Sequence, residues 1–191
     1  MTSVVARTPV AEAISQIPDP EIPVITIDDL GILRGVVVDD TARRVEVTIT
    51  PTYSGCPAME AIERRIVHEA ARLGYASVVT SRLSPAWTTD WMSERGRERL
   101  REFGIAPPGA RPGARPGAGY GARPESGPGE ESGTGPAAGG PVAVALSVRQ
   151  VACPRCGSVD TEELARFGST ACKALRRCRA CGEPFDEFKA I

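Results

Sequence analysis

Residues 107–141 are rich in glycine and proline, and this segment constrains the fold more than any other feature of the sequence. Glycine or proline fills 19 of its 35 positions, and Tyr120 is its only large apolar residue. A segment of this composition cannot bury enough apolar surface to offset the entropy lost on ordering. We therefore predict a disordered linker that separates a first domain at residues 1–106 from a second module at residues 142–191.

The first domain is predicted to belong to the α+β class, with the element order α-β-β-α-β-α and its helices packed on one sheet. Residues 44–49 alternate between polar and apolar side chains, which is typical of a half-buried strand. The β-branched run at residues 32–38 should pair with that strand in a hairpin. A third strand is expected at residues 76–83.

Helices are predicted from apolar periodicity and from the residues at their ends. Thr8 is suited to cap the first helix, and residues 57–73 repeat apolar side chains at helical spacing. Ser93 is suited to cap the last helix. We expect Leu100 and Phe103 of that helix to face the core.

Charge and hydropathy exclude several classes of protein. The 23 basic and 24 acidic residues give a formal net charge of −1, so no global field attracts the chain to nucleic acid or to an anionic membrane. The sequence has no run of about 20 apolar residues that could span a bilayer. Residues 1–9 lack the apolar stretch of a secretory signal, so we expect a cytoplasmic protein that does not associate with membranes.

Four of the six cysteines form two C-x-x-C pairs, a spacing that suits a metal better than a disulfide framework. A glycine follows each pair and permits the tight turn that directs backbone N–H groups at the sulfurs. Twenty-one residues separate the pairs, close to the range for a tetrahedral four-thiolate zinc site, which is structural and not catalytic. Rubredoxin-like iron remains the alternative occupant. The predicted ligands of this zinc ribbon are Cys153, Cys156, Cys178 and Cys181.

Cys56 is the single cysteine of the first domain, and it lies where a strand is predicted to meet a helix. The positive end of a helix dipole favours the thiolate, the form that binds metals. The alternative is a buried cysteine that acts as a small hydrophobe. Asp19 and Glu21 lie on a proline-rich loop and could complete a metal site, or they could be caps or solvated charges.

A single thiolate cannot hold an iron–sulfur cluster, because four ligands are usual. The remaining ligands would come from carboxylates, from a small thiol, from a recipient protein or from a second copy of the chain in a homodimer. This shortage favours transient handling of iron or of a cluster. Cys172, beside Lys173, is either a spare buried thiol or a functional group, and Trp87 and Trp91 are either core residues or a docking surface.

The sequence shows no pattern of an enzyme active site. His68 is its single histidine, so a hydrolase triad is not expected. Neither a phosphate-binding loop nor a dinucleotide-binding glycine motif is present. We therefore expect an accessory protein and not an enzyme.

Two groups of motifs resemble known families. Residues 19–23, Leu30-Gly31 and residues 52–57 resemble the domain of unknown function 59 family, the SufT-like iron–sulfur assembly factors. Residues 87–93, 104–108, 167–173 and 183–186, together with the cysteine pairs, resemble the PaaD family, whose members are encoded with the phenylacetyl-CoA epoxidase.

The resemblance to PaaD implies a role in the maturation of the epoxidase of aerobic phenylacetate breakdown. The recipient would be its iron–sulfur reductase or its di-iron oxygenase component. The family pattern makes Cys56 the reactive or metal-facing thiol and makes the four paired cysteines ligands. The linker is longer than the family requires, which argues against rigid communication between the modules.

Two other functions remain open at this point. The first is a zinc ribbon that binds nucleic acid, since the second module carries several basic residues. The second is an integral structural subunit of the oxygenase. The basic residues of the module are Arg155, Lys173, Arg176, Arg177 and Arg179.

Overall fold

A computed structural model of the chain describes residues 8–109 and 150–189. The predicted linker lies outside the described residues from position 110 onward, and its disorder stays a prediction. Residues 8–104 contain seven elements in the predicted order, with a short 3-10 helix added before the last helix. They are α1 (Pro9–Ser15), β1 (Leu33–Asp39), β2 (Arg44–Ile49), α2 (Ala58–Arg72), β3 (Ala76–Ser81), the 3-10 helix (Thr89–Trp91) and α3 (Glu94–Phe103).

These elements form one three-stranded sheet with the order β1-β2-β3. The predicted hairpin is confirmed, because β1 and β2 pair antiparallel. Strands β2 and β3 pair in parallel, and α2 makes the crossover between them, as a parallel pair requires. The apolar residues of β2, Val45, Val47 and Ile49, are each at most 1% exposed. The α+β class is therefore confirmed.

The predicted helix caps are present. The Thr8 hydroxyl accepts a hydrogen bond from the backbone N–H of Ala11 at 3.3 Å, and the Ser93 hydroxyl accepts one from Gly96 at 2.9 Å. Each cap satisfies an N–H group that has no partner within its helix.

The predicted burial of the last helix is only half right. Leu100 is fully buried, but Phe103 is 57% exposed, so its placement in the core was wrong. The chain leaves the helix at Gly104, and Ile105 continues the buried surface at 5% exposure. Phe103 is the last residue of α3, and its side chain lies on the exposed side of that final turn.

The second sheet combines a strand from the predicted first domain with three strands of the C-terminal module. Its strands are β4 (Ile105–Ala106), β5 (Thr161–Ala165), β6 (Lys173–Cys178) and β7 (Pro184–Phe188), in the order β4-β7-β6-β5. Strands β5, β6 and β7 form an antiparallel meander, the zinc ribbon. Strand β4, the last element of the predicted first domain, pairs in parallel with β7. The ribbon is therefore attached to the first domain by backbone hydrogen bonds.

Side chains also connect the two predicted modules. Phe188 and Cys172 of the ribbon belong to the same buried apolar cluster as the first domain. Trp87 is 4% exposed and donates a hydrogen bond from Nε1 to the carbonyl of Leu30 at 3.0 Å. Of the two interpretations offered for the tryptophans, Trp87 is a core residue, whereas Trp91 is only partly buried and lies under the Arg34 guanidinium at 3.6 Å.

Across the two described ranges, none of the helices is both long enough and apolar enough to cross a membrane.

Candidate functional site

The two C-x-x-C pairs adopt the same local structure. The backbone N–H of Gly157 donates to the carbonyl of Cys153 at 2.9 Å, and that of Gly182 donates to Cys178 at 2.9 Å. Each glycine therefore closes the turn that its pair requires. Backbone N–H groups are directed at the sulfurs, with Ser158 bonding to Cys156. Such hydrogen bonds orient thiolate ligands and stabilise their charge.

The four sulfurs of these pairs converge on one point. The Sγ atoms of Cys153 and Cys181 are 3.9 Å apart, and those of Cys156 and Cys178 are 3.5 Å apart. All four lie within 4.8 Å of one another. A tetrahedral zinc ion with bonds of about 2.3 Å places its sulfurs about 3.8 Å apart. The group therefore fits a four-thiolate metal site.

Without a metal, these thiols share protons. The backbone N–H of Cys181 is the largest of the effects that bring the pKa of Cys178 to about 7. The backbone N–H of Ser158 favours the thiolate of Cys156, but hydrogen bonding with Cys178 and burial raise the pKa of Cys156 to about 12. A zinc ion would replace these shared protons and stabilise the four thiolates together.

Cys56 lies at the other candidate site, directly before α2. Its backbone N–H donates to the carbonyl of Tyr53 at 3.2 Å, which closes a tight loop. Its carbonyl accepts a hydrogen bond from Met59 at 3.4 Å and so begins the helix. The thiol is half-buried at the edge of the apolar core. Its predicted position at the strand-to-helix junction is confirmed.

The expected stabilisation of the Cys56 thiolate is not found. Burial raises the pKa of the Cys56 thiol, and the backbone N–H of Ala58 opposes this without outweighing it. The carboxylates of Glu21 and Asp19 raise the pKa further. The helix terminus acts in the predicted direction, but desolvation is larger, because burial disfavours the charged form. Relative to a free cysteine, the surroundings of Cys56 therefore favour the protonated thiol over the thiolate.

Asp19 and Glu21 lie close enough to Cys56 to act on its ionisation. Asp19 is 4% exposed, and its Oδ1 accepts hydrogen bonds from the backbone N–H groups of Glu21 at 2.9 Å and Ile22 at 2.8 Å. Burial raises the pKa of Asp19 and also that of Glu21. Asp19 therefore shapes its own loop, whereas Glu21 is the more exposed of the two carboxylates. Their role as ligands stays a prediction.

The same carboxylates also act on the ionisation of Cys172 in the ribbon. Burial raises the pKa of its thiol, and Glu21 and Asp19 add to this effect. Tyr53, in the loop of Cys56, interacts with both cysteines. Sequence spacing did not reveal this relation, because the two thiols belong to different modules. The signals available were the neighbouring Lys173 and the position of Cys172 inside one of the motifs that resemble PaaD.

The comparison with known proteins gives one relative that spans nearly the whole chain. It is an Escherichia coli (strain K12) protein described as a putative subunit of 1,2-phenylacetyl-CoA epoxidase. The two are 45% identical over 179 residues, which cover 93% of this chain and 89% of the relative. In addition, the family model of the PaaD zinc beta ribbon domain matches residues 138–189. The chain belongs to the PaaD family.

Two family models thus match separate parts of this PaaD-family chain. The residues that match the zinc beta ribbon model contain all four paired cysteines together with Cys172. The family model described as iron-sulfur cluster assembly protein matches residues 7–80, and this range contains Asp19, Glu21 and Cys56. The metal-binding group of four cysteines is therefore the centre of a zinc ribbon.

A solved structure is also similar to part of this chain. It is a crystal structure of a domain of unknown function, DUF59, from Bacillus anthracis, with 22% identity and a TM-score of 0.42. The match covers 48% of this chain and 87% of that chain.

The basic residues of the PaaD ribbon lie beside acidic partners of the same module. Arg155 is 3.3 Å from Glu183, and Lys173 is 3.2 Å from Asp186. Two further pairs of the ribbon are Arg176–Glu187 at 2.8 Å and Arg179–Glu162 at 2.8 Å. Arg177 faces Glu162 across the β5–β6 pair. The predicted basic face is therefore largely neutralised, which disfavours contact with a phosphate backbone.

Proposed function

We propose that this PaaD-family protein is a maturation factor for a phenylacetyl-CoA epoxidase system and not an enzyme. It acts in the cytoplasm and assists the assembly of an iron–sulfur cluster or another metal centre in a partner component. The partner is the iron–sulfur reductase or the di-iron oxygenase of that system. The pathway is suggested by the description of the E. coli relative.

The observation that carries the proposal is the environment of Cys56. This half-buried thiol lies two residues before α2, within the residues that match the iron–sulfur cluster assembly family, and the carboxylates of Glu21 and Asp19 act on its ionisation. Iron or a nascent cluster is the cargo of this site. Because Cys56 loses a proton on binding and regains it on release, it holds its cargo less tightly than a preformed thiolate would. Weak retention suits delivery to another protein.

The zinc ribbon has a structural role in this proposal. A closed four-thiolate site has no open position for a reacting water molecule. The zinc fixes the sheet that packs against the first domain, and the ribbon also presents apolar side chains to a recipient. Val159, Leu164 and Phe167, which are 52%, 51% and 66% exposed, are the side chains that the proposal assigns to this contact.

The test is to replace Cys56 with serine and to produce the variant beside the reductase and the oxygenase components of the epoxidase. We expect the iron and sulfide content of the reductase to fall, because serine does not supply a thiolate. Ser54→Ala, an exposed substitution in the same loop, is the matched control and should leave cluster loading unchanged. Normal loading of the reductase and the oxygenase with Cys56→Ser would reject the proposal.

The alternative that the protein is an integral subunit of the oxygenase makes a different prediction when the protein is produced together with the epoxidase components. A structural subunit would co-purify at fixed stoichiometry with the active oxygenase, whereas a maturation factor would leave the finished complex. The nucleic-acid alternative receives no support from the ribbon, because its basic side chains lie beside carboxylates.

A further inference from the structure

Strand β3 lies at one end of the first sheet, and its outer edge is open. Across residues 8–109 and 150–189, β3 pairs with β2 alone. Four of its six residues are exposed, and Ser77 and Val79 are half-buried. A strand in this position presents a row of unpaired backbone N–H and C=O groups, to which a strand of another chain can bind.

The backbone groups that face this open edge follow from the bonds at both ends of the strand. The N–H of Ala76 donates to the carbonyl of Arg43 at 2.8 Å, and the N–H of Arg82 donates to the carbonyl of Ile49 at 2.9 Å. Backbone groups alternate in direction along a strand, so the even-numbered residues of β3 bond to β2 and the odd-numbered residues face outward. The outward-facing residues are Ser77, Val79 and Ser81.

The other edge strands of the described residues are protected against such pairing. Strand β1 carries Arg34 and Asp39 and is interrupted by a bulge. Strand β5 carries Glu162 and Glu163 and has a similar interruption. Strand β4 is only two residues long. Charged residues, bulges and short length are the usual features that keep the edges of sheets from pairing with other chains.

Strand β3 has none of these features. Its sequence, Ala-Ser-Val-Val-Thr-Ser, contains neither a charged residue nor a proline. Its register with β2 runs without interruption from Ala76 to Ser81. Val78, Val79 and Thr80 are β-branched and favour the extended conformation. The edge is therefore suited to bind an uncharged strand along its whole length.

We propose that a second copy of this chain covers this edge, with the two β3 strands paired antiparallel about a two-fold axis in one six-stranded sheet. Self-pairing brings each residue close to its own copy, so it requires a strand that does not bring like charges together. The adjacent glutamates of β5 would do so, whereas β3 is uncharged. Among the described strands, each copy has one unprotected edge, so the assembly closes at two chains.

The outward-facing groups also define the register of the two strands. Hydrogen-bonded pairs must join odd-numbered residues, and the largest number of such pairs within the strand results when Val79 pairs with Val79 of the second copy. Ser77 then pairs with Ser81 on each side of the axis. Val78 packs against Thr80 of the second copy, and such cross-strand pairs stabilise a sheet.

The two Cys56 sites stay apart in this dimer. The end of β2 that leads to Cys56 is Ile49, which pairs with Ser81. In the proposed register the two Ser81 residues lie four positions apart along the shared strands, or about 13 Å at the usual rise per residue. The dimer therefore does not bring both Cys56 thiols to one metal ion, and the inference does not depend on the proposed function.

The test measures the mass of the full-length, zinc-loaded chain by analytical ultracentrifugation over a range of concentrations, and we expect a dimer. Val78→Lys places an ammonium group on the paired strands of both copies and should raise the dimer dissociation constant about tenfold or more. Val37→Lys is the matched control and should leave this constant unchanged. Val37 is 59% exposed and lies on the same face as Val78, but on β1 at the opposite edge.

Amide hydrogen exchange of the unmodified chain provides a second measurement that needs no variant. The outward N–H groups of β3 should be protected in the dimer and should exchange faster as dilution separates the copies. A chain that is monomeric at every concentration overturns the inference. If β3 is protected in that monomer, a segment of the same chain covers the edge, and if protection requires an epoxidase component, a recipient strand covers it. Equal weakening by Val37→Lys places the interface on the face of the sheet and also overturns the inference.

Discussion

Trp87 of the first domain and Phe188 of the ribbon contact each other, with ring centroids 5.9 Å apart and planes inclined by 54°. Phe188 is fully buried and Trp87 is 4% exposed. Tilted aromatic pairs at this separation add to the stability gained from burial alone. This contact couples the folding of the ribbon to that of the first domain.

Phe188→Ala is therefore expected to lower the free energy of unfolding by about 3–5 kcal/mol, the usual cost of removing a buried phenylalanine. It should also separate ribbon unfolding from that of the first domain. Denaturant unfolding followed by Trp fluorescence and by zinc release would measure both effects. Phe103→Ala is the matched control, because Phe103 is 57% exposed. Equal effects of the two substitutions would contradict the coupling.

Loss of one zinc ligand should disorder the ribbon. Cys178 is fully buried, and Cys178→Ser removes one of four thiolates from a small sheet that depends on its metal. We expect zinc content to fall from one ion per chain towards none, and the Trp87 environment to become more exposed. Metal analysis and Trp fluorescence provide the measurements. Cys56→Ser should keep its zinc, so a loss of zinc in that variant would show that the two sites are not separate.

Asp29 should make stability depend on pH. Burial acts to raise the pKa of Asp29, but the hydroxyl of Ser93 and the guanidinium of Arg95 lower it below the ordinary value of 3.8. Arg95 donates to its Oδ1 at 2.8 Å, and Arg99 donates to its Oδ2 at 3.3 Å. Ionised Asp29 thus stabilises the fold above the unfolded pKa, and this contribution is lost as pH falls through the lower folded pKa.

Asp29→Asn is expected to cost about 1–3 kcal/mol near neutral pH, because buried hydrogen bonds lose their charged acceptor. The difference from the unmodified chain should shrink as pH falls below about 4. Urea unfolding at several pH values would measure it. Asp90→Asn, at an exposed position, is the control. If the difference in unfolding free energy between Asp29→Asn and the unmodified chain stays constant with pH, ionised Asp29 is not the source of the pH dependence.

Gly31 should not tolerate a side chain. Its φ is +75°, and an added Cβ would lie 2.7 Å from the Cβ and the carbonyl oxygen of Trp91. Gly31→Ala combines backbone strain of about 1–2 kcal/mol with overpacking of about 1–3 kcal/mol. Gly104→Ala is the matched control, since its φ is +91° but nothing lies within 4 Å of the added Cβ. Thermal unfolding should show a clearly larger loss for position 31 than for position 104.

Much of the local structure could be predicted because its signals are local. Thr8 and Ser93 cap helices through bonds to residues three positions ahead. The alternation of polar and apolar residues in β2 correctly predicted which face of the strand is buried. The spacing of the paired cysteines correctly predicted that their four sulfurs form a metal-binding group. Each of these depends on side chains that are close in sequence, so pattern and geometry coincide.

The sequence by itself determined the α+β class, the hairpin, the helix ends and the four-thiolate group. Only the tertiary structure decided that β4 joins the ribbon sheet, that Trp87 is buried against Phe188 and that Glu21 and Asp19 act on the ionisation of both Cys172 and Cys56. It also reversed the expected ionisation of Cys56, because desolvation depends on what packs around a thiol and not on its place in a motif. Contacts between distant segments leave no periodicity in a single sequence.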